Sequence, residues 1–158
     1  MFRIFVYMEI SNTQKWLINQ KLNRIRISVK NINLGGCGLF AYHMYDVLKN
    51  RGIKSEILLL GSTENPIHII LKLEDGSYLD SRGIRDTKEE LLKEFGGNSF
   101  LYDNELVAIS KIELGRMLNE VKWNKAFDYW FTDNNFNPKS NKEYLIEMIK
   151  KEFNYESV

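Results

Sequence analysis

The stretch Gly35-Gly36-Cys37-Gly38-Leu39-Phe40-Ala41 contains the only cysteine of the chain. Apolar residues continue at helical spacing after it, which predicts a helix from about residue 37 to residue 50, ended by Gly52. A thiol at a helix start meets the positive end of the helix dipole and free backbone N–H groups. Both features favour the thiolate, which is the reactive form. Cys37 is therefore a candidate nucleophile.

The glycines around Cys37 favour a catalytic role over a packing role. Gly36 and Gly38 leave space beside the sulfur for a substrate carbonyl, and the N–H groups of Cys37 and Gly38 are candidate oxyanion donors. Asn31 or Asn33 is a candidate for one further, side-chain donor. The simpler interpretation is a small buried hydrophobe, as many free cysteines are. A core helix, however, gains nothing from Gly38 in its first turn, where Gly costs about 1 kcal/mol relative to Ala.

The rest of the chain predicts an α+β fold with a small antiparallel sheet. A helix is expected over residues 11–27, where Ser11 and Gln14 have capping-box spacing. Strands follow at 55–60 and 67–73, and Asp75-Gly76 predicts a hairpin turn into a return strand at 78–80. The segment 105–109 is either a strand or the beginning of a helix. Further helices are expected at 87–95, near 111–121 and at 140–153, so that N-terminal helices pack on the sheet and C-terminal helices follow.

His68 and Asp80 flank the predicted hairpin and are the candidate base and orienting carboxylate for Cys37. Their geometry depends on the length of the hairpin loop. A two-residue loop pairs Leu71 with Asp80 and places His68 and Asp80 on opposite faces, which leaves Ser81 as the alternative partner. A three-residue loop or a bulge shifts the register by one residue and places them on the same face.

This order of residues resembles the transglutaminase-like and papain-like thiol enzyme superfamily. The resemblance covers about residues 31–84: the cysteine that opens a helix, Gly52-Ile53 at the helix exit, a histidine strand and an aspartate strand. Arylamine acetyltransferases and cell-wall peptidases of the NlpC type are similar in outline. The resemblance implies a papain-like core with Cys37, His68 and Asp80 as the catalytic residues.

Length and composition fit one domain over residues 1–158, with a catalytic core at about 31–84 and a helical C-terminal part at 85–158. The net charge of +1 gives no case for nucleic acid as a partner. One cysteine and two histidines offer no familiar metal motif, and we expect no cofactor. The apolar start of the chain is too short to span a membrane and lacks a cleavage site, so the expected location is the cytoplasm.

Other candidate residues have simpler interpretations. His43 lies six residues after Cys37 on the same helix and points away from it, so a surface or core role is expected. Arg82 or Arg85 is a candidate for binding a substrate carboxylate, although a solvated turn is the simpler interpretation. The aromatic segment 123–131 is expected to pack on the core, with a ligand groove as the alternative.

The sequence therefore predicts a thiol hydrolase or acyltransferase that attacks an amide, ester or thioester carbonyl, most simply a peptidase or amidase acting on a peptide or small acyl substrate. The alternative is a non-catalytic interaction or inhibitor protein on the same fold, for instance one encoded by a phage, with a protein partner. A register that separates His68 from Asp80 favours this alternative.

Overall fold

The computed structural model describes residues 10–63, 66–93, 105–119 and 140–155, without the side chains of Leu34 and Leu92. The described helices are α1 (Asn12–Ser28), a short 3-10 helix (Ile32–Leu34), α2 (Cys37–Asn50), α3 (Lys88–Leu92), α4 (Lys111–Asn119) and α5 (Asn141–Phe153). The described strands are β1 (Ser55–Gly61), β2 (Pro66–Leu73), β3 (Tyr78–Asp80), β4 (Gly83–Arg85) and β5 (Leu106–Ile109).

Local capping begins the helices where the sequence predicts it. At α1 the Ser11 hydroxyl accepts the Gln14 backbone N–H at 3.1 Å, and the Gln14 side chain accepts the Ser11 N–H at 2.8 Å. The hydroxyl of Ser140 similarly accepts the Glu143 N–H at the beginning of α5. Each cap satisfies donors that have no partner within the helix, which fixes the first turn.

The five strands form one antiparallel sheet in the order β4-β3-β2-β1-β5. The chain therefore builds a meander from β1 to β4 and then crosses to add β5 beside β1. The hairpin between β2 and β3 has a three-residue loop, because Leu71 pairs with Leu79 and Lys72 with Tyr78. Gly76 lies in this loop with a φ of 88°, the positive value that a type I turn followed by a bulge requires.

The main core lies between the sheet and four of the helices. Its buried members come from α1, α2, α4 and α5 on one side and from alternate strand positions on the other, including Ile57, Leu59, Ile69, Leu71 and Leu79. A second, smaller cluster holds Leu58, Leu60, Ile70 and Leu91, which are strand positions of the opposite parity packed against α3. Both faces of the central strands are thus buried, so their side-chain register is strongly specified.

The α+β architecture with an antiparallel sheet is confirmed. The predicted C-terminal part at 85–158 is not entirely helical, because residues 106–109 form the edge strand β5. The sequence also did not predict β4. The predicted roles of the start of the chain and of the aromatic segment 123–131 lie outside the described residues, as do the ends of two predicted helices. Within the described part of the chain, no helix is both long and apolar enough to cross a bilayer.

Candidate active site

Cys37 is the first residue of α2 and is buried, with 3% of its surface exposed. The approach to the helix is tightly turned: Asn31 has a φ of 58°, and the Gly36 N–H donates to the Ile32 carbonyl at 2.6 Å. Gly36 is the N-cap residue and has no side chain with which to cap the helix. The first N–H groups of α2 therefore point toward the helix start without a side-chain cap, beside the sulfur.

His68 lies near the beginning of β2 and is fully buried. A register shift precedes it, because Leu60 pairs with His68 whereas Gly61 pairs with Pro66, which leaves Ile67 as an extra residue on β2. Irregularities of this kind change the direction of a strand and re-aim the neighbouring side chains. The His68 Nε2 atom lies 3.1 Å from Oδ2 of Asp80.

Asp80 ends β3 and is also buried, at 2% exposure. The three-residue loop of the hairpin places Asp80 on the same side as His68, which is the register that the proposed Cys-His-Asp arrangement requires. Four donors surround the carboxylate. Oδ1 accepts the backbone N–H of Arg82 at 2.8 Å, and Oδ2 accepts from Arg82 Nη2 at 2.7 Å, from Asn33 Nδ2 at 3.3 Å and from His68.

The interactions of His68 and Asp80 outweigh the effect of burial on the pKa of each residue. Burial acts to lower the pKa of His68, but Asp80, through its hydrogen bond and its charge, and the nearby Cys37 side chain raise that pKa to about 9. Burial acts to raise the pKa of Asp80, but His68 and Arg82 outweigh it and lower that pKa to about 2. His68 is therefore an imidazolium at neutral pH, held between a carboxylate and the Cys37 side chain.

The structure brings Cys37, His68 and Asp80 together and separates the other candidates. Gly36 and Gly38 are buried on either side of Cys37, whereas Asn31 is exposed. The side-chain amide of Asn33 binds Asp80 and Ser81: its N–H donates to the Asp80 carboxylate, and its oxygen accepts the Ser81 hydroxyl at 2.8 Å. Asn33 thereby supports Asp80, a role that the sequence did not indicate.

Two further predictions have clear outcomes. His43 is half-buried on α2 beside Tyr42 and Tyr155 and is not part of the site; burial lowers its pKa to about 4. Arg82 is not a solvated turn residue, since only 16% of its side chain is exposed and its guanidinium binds Asp80. No sequence pattern distinguishes this inward Arg82 from Arg85, because the contact depends on the turn geometry.

The arrangement can hold a thiolate and a proton donor in one buried place. Among the described residues, no group of three or more His, Cys, Asp and Glu side chains is placed to hold a metal ion. Comparison with protein-family models, with curated proteins and with solved structures gives no match.

Proposed function

We propose that this protein is a thiol hydrolase or acyltransferase in which Cys37 is the nucleophile, His68 the acid and base, and Asp80 the orienting carboxylate. The observation that carries the proposal is that one buried imidazole lies 3.1 Å from a carboxylate and close enough to the only thiol of the chain for Cys37 to raise the pKa of the ring. Nucleophile, base and orienter joined in this way are the recurrent arrangement of enzymes with covalent intermediates. A papain-like or transglutaminase-like core is part of the same proposal.

The reaction begins with the thiolate. The Cys37 sulfur attacks a carbonyl carbon, and the carbonyl π electrons move to the oxygen, which meets the N–H groups of Cys37 and Gly38. The intermediate then collapses: the bond to the leaving group breaks, and the leaving nitrogen or oxygen takes the proton of His68. Water or an amine next attacks the thioester, His68 takes its proton, and the Cys37 thiolate leaves.

Asp80 engages Nε2 of the His68 ring, so Nδ1 is the nitrogen that exchanges protons with the thiol, the leaving group and the attacking water. Holding Nε2 fixes the orientation and tautomer of the ring, as the third member of a triad does. The proposed substrate is a peptide or a small acyl compound. The proposed location is the cytoplasm, where a free thiol stays reduced.

The alternative of a non-catalytic interaction protein is weaker. That alternative was tied to a hairpin register that separates His68 from Asp80, whereas the two side chains lie 3.1 Å apart. The oxygens of the Asp80 carboxylate are all engaged, as a buried carboxylate requires in either case. The contact therefore favours the enzyme.

Alkylation of Cys37 by iodoacetamide between pH 5 and pH 9 tests the proposal, because the chain has one cysteine and the intact mass reports one site. We expect His68→Ala to lower the rate at pH 6 by at least about tenfold, because an ordinary thiol is mostly protonated there. His43→Ala is the matched control and should label like the wild type. Identical pH–rate profiles for the wild type and His68→Ala contradict the proposal.

An activated ester tests the covalent step directly. With p-nitrophenyl acetate, we expect a burst of nitrophenol equal to the enzyme concentration and an acetyl adduct on Cys37. Cys37→Ser and His68→Ala should show neither the burst nor the adduct, whereas His43→Ala should retain both. Acetylation at lysines alone, with Cys37 unmodified, argues against a nucleophilic role for this thiol.

A further inference from the structure

Arg82 occupies the two-residue turn between β3 and β4, in which Asp80 pairs with Gly83. It contacts Asp80 twice: the backbone N–H donates to Oδ1 at 2.8 Å and the guanidinium Nη2 donates to Oδ2 at 2.7 Å. The backbone contact survives any substitution that preserves the turn. The guanidinium contact depends on the arginine side chain alone, so the two can be separated by mutation.

The Oδ2 atom of Asp80 is shared between His68 and Arg82. His68 Nε2 lies 3.1 Å from this oxygen, whereas Arg82 Nη2 is closer, at 2.7 Å. Two cations that bind one carboxylate oxygen compete for its negative charge, because each weakens the electrostatic attraction of the other. Arg82 therefore reduces the pull of Asp80 on His68 while it keeps the carboxylate ionised.

The guanidinium is held in this position by other elements. Its Nη2 atom also donates to the Leu91 carbonyl of α3 at 3.3 Å, and the Arg82 carbonyl accepts from Arg26 of α1, also at 3.3 Å. These contacts hold the turn between β3 and β4 against α1 and α3, and they keep the positive charge of Arg82 beside Asp80. His68 and Arg82 thus both lie against the same oxygen of Asp80.

We propose that Arg82 is a positioning residue that shares Oδ2 of Asp80 with His68 and thereby limits how strongly the carboxylate stabilises the imidazolium. This inference rests on the proposed function, in which the imidazolium must release its Nδ1 proton to the leaving group. The charged groups that act on His68 are Cys37 on α2 and Asp80 on β3, with Arg82 acting through Asp80. An acid that holds its proton too tightly is a poor donor, so Arg82 assists the acid step.

Titration of the two histidine rings by NMR tests the inference independently of activity, because the chain has only His43 and His68. In Arg82→Gln the contacts from the backbone of residue 82 and from Asn33 still hold Asp80. We expect the His68 midpoint to rise by about one pH unit, since a unit charge near the carboxylate has been removed. Arg82→Lys, which restores the charge, should return the midpoint toward the wild-type value.

Arg85→Gln is the matched control, since it removes the same charge three positions away, where the side chain contacts the Ile84 carbonyl and not Asp80. Its His68 midpoint should remain unchanged. Arg82→Met keeps the apolar stem of arginine and replaces Arg82→Gln if that variant fails to fold. A merely structural Arg82 predicts an unchanged or lower midpoint, because a loosened Asp80 would leave burial to dominate, and either result overturns the inference.

The outcomes separate this inference from the proposed function. If Cys37 alkylation depends on His68 but the midpoint does not rise in Arg82→Gln, the proposed function stands and the role of Arg82 is wrong. If the midpoint rises but Cys37 forms no acyl adduct in the wild type, Arg82 does act on the His68–Asp80 pair and the proposed function is wrong.

Discussion

The pKa of the fully buried His68 ring is raised because Asp80 lies 3.1 Å from its Nε2 atom and Cys37 lies near it. His43 shows the opposite result in the same chain. Burial lowers the pKa of His43 to about 4, and although Asp46 raises it, Lys111, Lys142 and Lys150 act in the same direction as burial. His68 is the more deeply buried of the two rings and yet has the higher pKa, so the charged neighbours decide whether each ring is a cation at neutral pH.

Replacement of Asp80 by Asn tests whether the Asp80 carboxylate raises the pKa of His68. Asparagine keeps the shape of the side chain and removes its charge, so we expect the His68 pKa to fall from about 9 toward its ordinary value of 6.5 or below. Histidine-selective NMR measures this change. Acyl-enzyme formation should fall by about 100-fold or more, because the ring loses its orientation and its proton.

Asp46→Asn is the matched control for Asp80→Asn. Asp46 lies near His43, receives the Tyr155 hydroxyl at 3.1 Å and pairs with Lys111, so the substitution should change the His43 titration and leave His68 unaltered. If Asp80→Asn leaves the His68 midpoint near 9, the carboxylate is not the group that keeps the ring protonated.

At the scale of elements, the length of one hairpin loop decides whether the site can form. The Leu73 N–H donates to the Ser77 carbonyl and the Gly76 N–H to the Leu73 carbonyl, which closes a loop of three residues, 74–76. A loop shorter by one residue would turn Asp80 to the opposite side from His68. The Asp75-Gly76 pair predicts a turn there, but it is compatible with both lengths, so the sequence left the register open.

Elements with local signals were predicted well, and elements with long-range determinants were not. Ser11 and Ser140 cap their helices through residues three positions away, so the signals lie within the sequence itself. Strand β4 has three residues and no alternation pattern to detect. The inward direction of Arg82 depends on Asp80, Leu91 and the turn between them, contacts that become visible only when the strands are folded together.

Gly83 is the first residue of β4 and lies against Asn19 of α1. Its substitution tests the packing of this strand on this helix. Gly83 has a φ of 123°, and an added Cβ would lie 2.9 Å from Oδ1 of Asn19, the atom that accepts the Ile84 N–H. Gly83→Ala should therefore lower the free energy of unfolding by about 1–3 kcal/mol, through backbone strain and loss of this contact. Urea unfolding followed by circular dichroism measures the change.

Gly52→Ala is the matched control for Gly83→Ala, since Gly52 also has a positive φ, 75°, but no atom lies within 4 Å of an added Cβ. It should cost only the backbone strain and destabilise the protein less than Gly83→Ala. Equal destabilisation by the two substitutions would mean that the Asn19 contact contributes nothing measurable.

At the scale of the whole molecule, His68 and Asp80 make the stability of the fold depend on pH in opposite directions. His68 has a pKa raised to about 9, so its contribution is fully present below its unfolded value of about 6.5 and is lost as the pH rises through 9. Asp80, with a pKa lowered to about 2, contributes above its unfolded value and loses its contribution as the pH falls through 2. The site is therefore most stable between these limits.

His43 also makes the free energy of unfolding decrease at acidic pH. Because its folded pKa of about 4 lies below the unfolded value, the unfolded chain binds this proton more readily, and stability falls as the pH drops from about 6.5 to 4. Between pH 4 and pH 9 the decrease on the basic side belongs to His68 and the decrease on the acidic side to His43, whereas Asp80 and Asp75 act below this range and Tyr155 acts above it. We therefore expect the free energy of unfolding to be greatest near pH 6.5, with a decrease on the order of a few kcal/mol toward pH 9.

Two single substitutions test which histidine causes each decrease in the free energy of unfolding. Urea unfolding is measured at intervals from pH 4 to pH 9. His68→Gln removes the group that titrates on the basic side, so the decrease between pH 6.5 and pH 9 should become shallow, even though the variant is less stable at its maximum. His43→Gln should instead flatten the decrease between pH 6.5 and pH 4 and leave the decrease on the basic side unchanged. A decrease on the basic side that persists at full size in His68→Gln would show that another group titrates there and that the His68 proton is not linked to folding.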